Sequence, residues 1–286
     1  MDDLDLMLNR EVLLVAGGPG SGKSYSVAHL VKNGVESGFK VVVIDADNGL
    51  AKAVKEVIGS KPANLSYFRL DSWAKLKEGV QYAMATLGPK DWLVFEMLGQ
   101  MWDGAQSEYS RRVYGEDISE HLLALRADAQ KELQEIGADM RSGDASKRKE
   151  ANRIVSGKMQ YSGMEGRTDW SVIKRMHNDE IFDFVKLRAP FNILSTTSLT
   201  PLSEDELQKG KWPLFHGVGR RPEGEKHQVH RHDTIIICDN KNNQWTWRTD
   251  LGGRGKDRGG RELVRDVVYD KVGVVASYFD RHGLEL

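Results

Sequence analysis

Gly17-Gly18-Pro19-Gly20-Ser21-Gly22-Lys23-Ser24 is the stretch on which the fold turns. It satisfies G-x-x-x-x-G-K-[ST], and its flanks fit too: the apolar run Glu11–Ala16 reads as a buried strand, and Lys23–Ser37 reads as a helix. In that helix Val27, Leu30, Val31 and Val35 share one side, and Gly38 is the stop. Each residue type has a physical reason. Glycines reach backbone conformations closed to other residues and let amides approach an anion closely. Successive N–H groups and the helix N-terminus then form a cradle for phosphate. Lys23 can reach β- and γ-phosphates, and Ser24 can place its hydroxyl on Mg²⁺. The expected binding set is Gly17, Gly18, Pro19, Gly20, Ser21, Gly22, Lys23, Ser24 and Tyr25, with ATP and Mg²⁺ as ligands.

Outward from the loop, strand and helix signals alternate. Lys40–Asp45 is a β-branched run, as in a parallel strand buried on both faces. Asn64–Leu70 reads as a weaker strand. Ser72 reads as the N-cap of a helix carrying Trp73, Leu76, Val80, Ala83, Met84 and Leu87. Asp91–Glu96 and Phe191–Thr196 are further strands, the first announced by Gly88-Pro89. Such alternation predicts an α/β fold with a mainly parallel sheet flanked by helices. Asp233–Cys238 and Gln244–Thr249 predict a C-terminal β-hairpin around Asn240–Asn243. A last amphipathic helix is expected to carry Leu263, Val267, Val268, Val275 and Tyr278.

The middle of the chain is polar and reads as a helical insertion, residues 104–169, within one domain spanning 1–286. Asp117 can cap a helix, with Glu120 three residues on. Ile118, Leu122, Leu125, Ala129, Leu133, Ile136 and Met140 then form one apolar stripe on a long helix. Arg141–Lys158, rich in Lys, Arg, Ser and Gly, is expected to be mobile in isolation. Leu202–Gly224 reads as loop.

Phosphate chemistry needs carboxylates near the loop. Trp92-Leu93-Val94-Phe95-Glu96 ends an apolar strand in an acid, so Glu96 is the Walker B candidate and a ligand to Mg²⁺ with Ser24; the usual residue there is Asp. Ile44-Asp45-Ala46-Asp47 ends another strand, and Asp47 or Asp45 could polarise the attacking water. The competing reading for both is turn chemistry, since Asp47-Asn48-Gly49 is a strong turn signal.

Composition excludes several classes. The chain has 286 residues, 29% charged and 40% hydrophobic, with formal net charge −1. Its apolar runs (Val12–Ala16, Val41–Ile44, Ile235–Cys238) fall far short of the ~20 residues of a bilayer span. The acidic start Asp2-Asp3-Leu4-Asp5 has the wrong charge for a secretory leader. A single cysteine, Cys238, excludes an internal disulfide framework and fits a reducing compartment, so a cytoplasmic location is expected.

The order of these motifs resembles the RecA-like ATPase core: a phosphate loop, Ile-Asp-Ala-Asp after the second strand, an apolar strand ending in Glu96, a strand ending in Ser195-Thr196-Thr197, and Lys256-Asp257-Arg258-Gly259. Within that superfamily the chain is most similar to bacteriophage-encoded RecA-like proteins linked to single-strand annealing and recombination, chiefly over 91–115, 167–182 and 221–260. The resemblance implies that Asp47 occupies the place of the catalytic glutamate. It implies that Thr196 or Thr197 senses the γ-phosphate. It also implies that Lys256 and Arg258 reach a neighbouring subunit's site in a ring or filament. An arginine supplied in trans has its own rationale, because negative charge builds in the transition state; the bland alternative is a solvated basic loop. The host cytoplasm is the compartment if the protein is phage-encoded.

Further features point the same way or are set aside. Residues 209–271 hold fourteen Lys/Arg against nine Asp/Glu, with Trp212, Phe215, Trp245 and Trp247 among them. Cations beside aromatics suit single-stranded DNA. Trp245 and Trp247 read better as hairpin core, leaving 198–224 and 141–168 as the DNA-contact candidates. His227, His230 and His232 near Cys238 invite a zinc reading, but no second ligand pair follows at zinc spacing; they read as polar strand residues. Cys238 itself reads as buried and inert. Ser195 lacks a G-x-S-x-G context. The expected function is ATP hydrolysis by an oligomer acting on single-stranded DNA in phage recombination or replication. The alternatives are a DNA motor, either helicase or packaging component, and an ATP-gated protein-binding scaffold with little turnover. A P-loop kinase fits less well, since no lid-like arginine cluster follows the core helices.

Overall fold

Val12–Gly17 forms β1 and is buried along its whole length, as a strand inside a parallel sheet must be. The computed structural model of the chain describes residues 10–160, 167–257 and 260–286. It divides into two compact units, Met1–Trp102 with Asp183–Leu286, and Asp103–Phe182.

The first unit is built on an eight-stranded sheet. Its strands are β1, β2 (Val41–Asp45), β3 (Leu65–Arg69), β4 (Trp92–Glu96), β5 (Asn192–Thr197), β8 (Thr234–Lys241), β9 (Gln244–Arg248) and β10 (Val267–Val268), in the spatial order β10-β9-β8-β1-β5-β4-β2-β3. From β8 to β3 every pairing is parallel; β9 and β10 add antiparallel at one edge. A separate two-stranded ribbon joins β6 (Leu199–Pro201) to β7 (Arg220–Pro222). The α/β class and the mainly parallel sheet read from the sequence are both present.

Helices cover the sheet. After β1 comes α1 (Lys23–Ser37), which ends at Gly38 in the left-handed region, φ 78°. Val27, Leu30 and Val31 of α1 are buried, whereas Val35 is 55% exposed and leaves the apolar face. After β2 comes α2 (Leu50–Val57), and after β3 comes α3 (Trp73–Thr86), whose N-cap Ser72 accepts from the N–H of Lys75. The principal core lies between α1, α2 and the sheet, and includes Leu13, Val15, Val41, Val43, Leu194, Ile236 and Trp247. Burying each such large apolar side chain contributes about 1.5–3 kcal/mol. The hairpin closes at Asn242 and Asn243, φ 53° and 61°, the left-handed pair that a tight two-residue turn requires.

The second unit is helical. It holds most of α4 (Leu98–Tyr114), then α5 (Ile118–Glu135), α6 (Ala145–Gln160) and α7 (Arg167–His177), and ends in a π-helical segment, Asn178–Phe182. Asp117 caps α5 by accepting from the N–H of Ser119. The helix stops at Glu135, short of the expected stripe, and Ile136 and Met140 are exposed. Arg141–Lys158, expected to be mobile, contains most of α6. Ala151 and Ile154, three apart on one face, pack on Ala129 and Leu133 of α5, which is enough to order a polar helix.

The chain then returns to the first unit through α8 (Asp183–Arg188), the short α9 (Glu204–Gln208) and α10 (Gln228–Arg231), and α11 (Val274–Arg281). The expected C-terminal helix is corrected here. Val267 and Val268 form β10 on the open edge of β9, and helix begins only at Val274. An unpaired edge strand captured the two β-branched residues, an outcome that apolar spacing alone does not separate from helix. Val275 and Tyr278 do lie in α11. Among the described residues no helix is long and apolar enough to cross a membrane.

Candidate functional site

The carboxyl ends of β1, β5, β4 and β2 converge, and that edge of a parallel sheet is where α/β proteins hold ligands. At the end of β1 the chain must pass close to its neighbours. A Cβ on Gly17 would lie 2.3 Å from Ser21 Oγ and 2.8 Å from the Cys238 carbonyl oxygen. The loop then turns through Gly20 (φ 72°) and Gly22 (φ 84°), both in the region that favours glycine. Gly22 is also the N-cap of α1 and offers no capping side chain. The first-turn N–H groups of Lys23, Ser24 and Tyr25 therefore have neither an intrahelical nor a capping acceptor.

The loop carbonyls, by contrast, are taken. Lys23 Nζ donates to Gly17 O (2.8 Å) and Gly18 O (3.1 Å). Gly20 O accepts from Trp245 Nε1 (3.1 Å) and Asn240 Nδ2 (3.3 Å). Ser21 O accepts from the Tyr269 hydroxyl, and Gly22 O from Ser26 Oγ (2.9 Å). These bonds fix the peptide planes of the loop around one place, and a fixed loop of this kind can act as a backbone nest that attracts anions.

That place is a cavity of about 610 Å³ lined by the loop from Pro19 to Tyr25 and by Asp47, Gly49 and Trp245, among others. Lys23 lies at its floor, 8% exposed. Burial pushes its ammonium below the ordinary lysine value, and the carboxylate of Glu96 opposes that shift.

Glu96 is fully buried at the end of β4. It accepts from Ser24 Oγ (2.5 Å) through one oxygen and from Thr196 Oγ1 (2.5 Å) through the other. Burial raises its carboxyl to about 7, only partly offset by those two hydroxyls, and the neighbouring Asp47 and Asp45 push it further up. Of the two threonines singled out at the end of β5, Thr196 is the one in contact with this acid. Thr197 faces the other way and donates to the Glu223 carbonyl (3.0 Å).

The two aspartates after β2 separate into distinct roles. Asp45 is fully buried and accepts from the N–H groups of Asp47 (3.1 Å), Asn48 (2.9 Å) and Leu50 (3.3 Å) and from the Tyr67 hydroxyl (3.0 Å). It organises the turn. Asp47 is exposed; one oxygen accepts from Gly49 N (2.8 Å), and the residue lines the cavity. Turn chemistry and cavity placement therefore coexist at Asp47. Asp45→Ala strands four donors at once, and we expect it to cost about 2–4 kcal/mol of stability, read as a lower urea midpoint with an unchanged slope. A midpoint equal to that of the unmodified protein would contradict the turn role.

The basic strap after the hairpin does not project freely. Lys256 O accepts from Ile235 N (2.9 Å), and Asp257 Oδ1 accepts from Thr234 Oγ1 (3.0 Å). Lys256 Nζ donates to the carbonyls of Val229 (3.0 Å) and His230 (2.9 Å). The segment's backbone thus pairs at the start of β8, and the Lys256 ammonium is occupied within the chain. Arg258 and Gly259 lie outside the described residues. Residues 161–166, part of a segment considered for DNA contact, lie outside them as well.

The histidines expected on an extended segment fall instead on and beside the helical turn α10. His230 is exposed, while His232 is buried with Nδ1 2.8 Å from Gln228 O, and burial pushes it down to about 3. Among the described residues no three His, Cys, Asp or Glu side chains gather as a metal would require. Cys238 is buried, and burial pushes its thiol up to about 12.

Sequence reasoning missed Asn240, Trp245 and Tyr269. They lie more than 200 residues from the loop they hold, and the hairpin pattern that placed Trp245 in a core carries no sign of that contact. No protein-family model matches this chain, and a search of curated proteins finds no match.

Proposed function

We propose that this chain is a RecA-like P-loop ATPase that binds and hydrolyses ATP with Mg²⁺, works as a ring or filament, and acts on single-stranded DNA. One observation carries the reading: the glycine-rich loop, Lys23, Ser24 and Tyr25 line one cavity, the loop carbonyls named above are already bonded, and the buried Glu96 carboxyl accepts from Ser24 Oγ. Amides, an ammonium and a helix N-terminus converging in this way suit a polyphosphate tail.

Magnesium takes oxygen ligands and is usually held by one or two carboxylates together with phosphates and water. A cluster of three protein ligands is therefore not required. The Ser24 hydroxyl and the Glu96 carboxylate, 2.5 Å apart, supply hard oxygens of the right kind. Bound there, the ion would neutralise charge on the phosphates. Asp47, with one oxygen tied to Gly49 N, has the other to orient a water or take its proton. Asp45, saturated by donors, is excluded from that role. With Lys256 occupied within its own chain, Arg258 is the better source of a cation supplied in trans. A cavity of about 260 Å³ lined by Lys211, Trp212, Phe215, Lys226, His227 and His230 sets cations beside aromatics and supports contact with single-stranded DNA.

The test is ATP turnover against protein concentration, with and without single-stranded DNA. We expect a steep rise with concentration, stimulation by DNA, and an Arg258→Ala variant that binds ATP but does not turn it over. Linear dependence, indifference to DNA, or normal turnover by Arg258→Ala at high dilution would each remove the corresponding part.

A further inference from the structure

Two cations flank Gly18 of the glycine-rich loop. Lys23 Nζ donates to its carbonyl oxygen (3.1 Å). On the other side of the residue, where a Cβ would stand, lies Arg220, with Nη1 4.0 Å from that position. Arg220 comes from β7, in a stretch whose sequence reads as loop and which the fold shapes into the β6–β7 ribbon.

Successive strand residues face opposite ways, and the two arginines of β7 have opposite surroundings. Arg221 is satisfied: Nε donates to Glu206 Oε1 (3.1 Å), and its guanidinium lies over the Trp212 ring at 5.2 Å. Arg220 is exposed and, among the described residues, makes no hydrogen bond or ion pair. The ribbon that carries it is tied to the wall of the nucleotide cavity. Just past β7, Glu223 N donates to Ser198 O (3.0 Å), and Glu223 O accepts from Thr197 Oγ1 (3.0 Å); Ser198 lines that cavity. The Glu223 carboxylate is also one of the charges that oppose the burial shift of Lys23.

Arg220 itself lines a smaller cavity of about 300 Å³, together with Cys238, Asp239 and Arg248. Cys238 pairs with Gly17 across β8 and β1, so this space adjoins the start of the loop and leaves the guanidinium room to turn. Arg248 is engaged by Asp266 (3.1 Å), whereas Arg220 has no counter-ion there. A guanidinium left without a counter-ion against an anion-gripping loop lacks an anionic partner, and its planar fork matches phosphate oxygens better than a point charge does.

We propose that Arg220 binds the terminal phosphate of the nucleotide from within its own chain and so separates tri- from diphosphate, an inference that rests on the nucleotide reading of this site. The roles of the cations then divide. Lys23 grips the phosphates that the loop surrounds, and Arg220 reaches only the last of them. Arg258, supplied by a neighbouring subunit, serves turnover, whereas the discrimination made by Arg220 needs no neighbour.

Calorimetric titration of the full chain with a slowly hydrolysed ATP analogue and with ADP, both with magnesium, tests this. The unmodified protein should bind the analogue more tightly than ADP, and Arg258→Ala should keep that preference. Arg220→Ala should weaken the analogue on the order of tenfold and ADP by less than about threefold. Arg220→Lys, which keeps the charge and loses the fork, should recover part of the preference. Arg221→Ala, the neighbouring change on the same strand, should leave the ratio of the two affinities unchanged. Equal loss of both ligands in Arg220→Ala would reduce Arg220 to a support of the ribbon and overturn the proposal. An unchanged ratio in Arg220→Ala, or its loss in Arg258→Ala, would overturn it as well. Failure of the unmodified protein to bind either ligand would instead sink the nucleotide reading, and this assignment with it.

Discussion

Lys23→Ala abolishes the nucleotide response of this protein while leaving its fold intact: that is the expected result with the greatest reach. Lys23 is nearly buried at the floor of the cavity, and with no ligand its ammonium is spent on two loop carbonyls. Burial disfavours the charge, and the Glu96 carboxylate only partly compensates. Such an ammonium is poised to transfer from neutral oxygens to anionic ones, where a charge-assisted bond is roughly twice as strong. Removing it costs the Gly17 and Gly18 carbonyls a donor but also lifts the cost of burying a charge, so the two effects oppose each other and the change in stability without ligand should stay within about 1 kcal/mol. Turnover, by contrast, should fall on the order of 10²–10³-fold, the size expected when one preorganised group is taken from developing charge. Thermal unfolding separates the two effects. Ligand at a hundredfold excess over its Kd stabilises a binding protein by about 2.7 kcal/mol, and Lys23→Ala should lose most of that stabilisation. An undiminished ligand-induced shift in the variant would remove Lys23 from the phosphates.

What the sequence made legible, and what it did not, follows from the range of the interactions. The strand, loop and helix around residues 12–37 are local, so glycine chemistry and apolar spacing were enough to place them. Glu96 was legible because an acid closing a buried apolar strand has few other reasons to be there. The ambiguity between Asp45 and Asp47 could not be resolved from the chain alone. Both sit in a turn signal, and only the sheet register, with Asp45 opposite Glu96 and its oxygens facing three backbone N–H groups and Tyr67, divides the structural acid from the cavity acid. Thr196 and Thr197 are separated by the alternation of a strand, whose phase is set by pairing with β1. The loop's long-range support was invisible. Asn240 and Trp245 are brought to Gly20 by a hairpin laid beside β1, Tyr269 is brought to Ser21 by the strand β10 that precedes it, and nothing local to these segments encodes the meeting.

The buried acid gives the second large effect, and it couples stability to function with opposite signs. Glu96 has an ordinary carboxyl value of 4.5 when exposed, and burial in the fold raises it to about 7. Between those values the native state holds a proton that the unfolded chain has released, so stability falls as pH rises across that interval. A shift of this size corresponds to about 3 kcal/mol withheld from the native state above pH 7, and to none below about pH 4.5. Glu96→Gln removes the ionisation and keeps the shape. Its amide oxygen can still accept from one of the two hydroxyls, Ser24 or Thr196, and its amide nitrogen can donate to the other. The variant should therefore be more stable than the unmodified protein at pH 8, by up to about 3 kcal/mol. The difference should shrink as pH drops through 7 and vanish near 4.5. On the proposed reading, hydrolysis at pH 8 should fall on the order of 10²-fold, because the negative charge held there is the one a bound Mg²⁺ would need. Chemical denaturation of both proteins from pH 4.5 to 8.5 reads the first effect, and single-turnover hydrolysis reads the second. A gap that does not change with pH would mean that Glu96 stays charged throughout. A variant both stabilised and fully active would mean that the strain at this carboxylate serves no chemistry. The expected pairing, a more stable protein that has lost its turnover, is what distinguishes a functional buried acid from one that merely closes a strand.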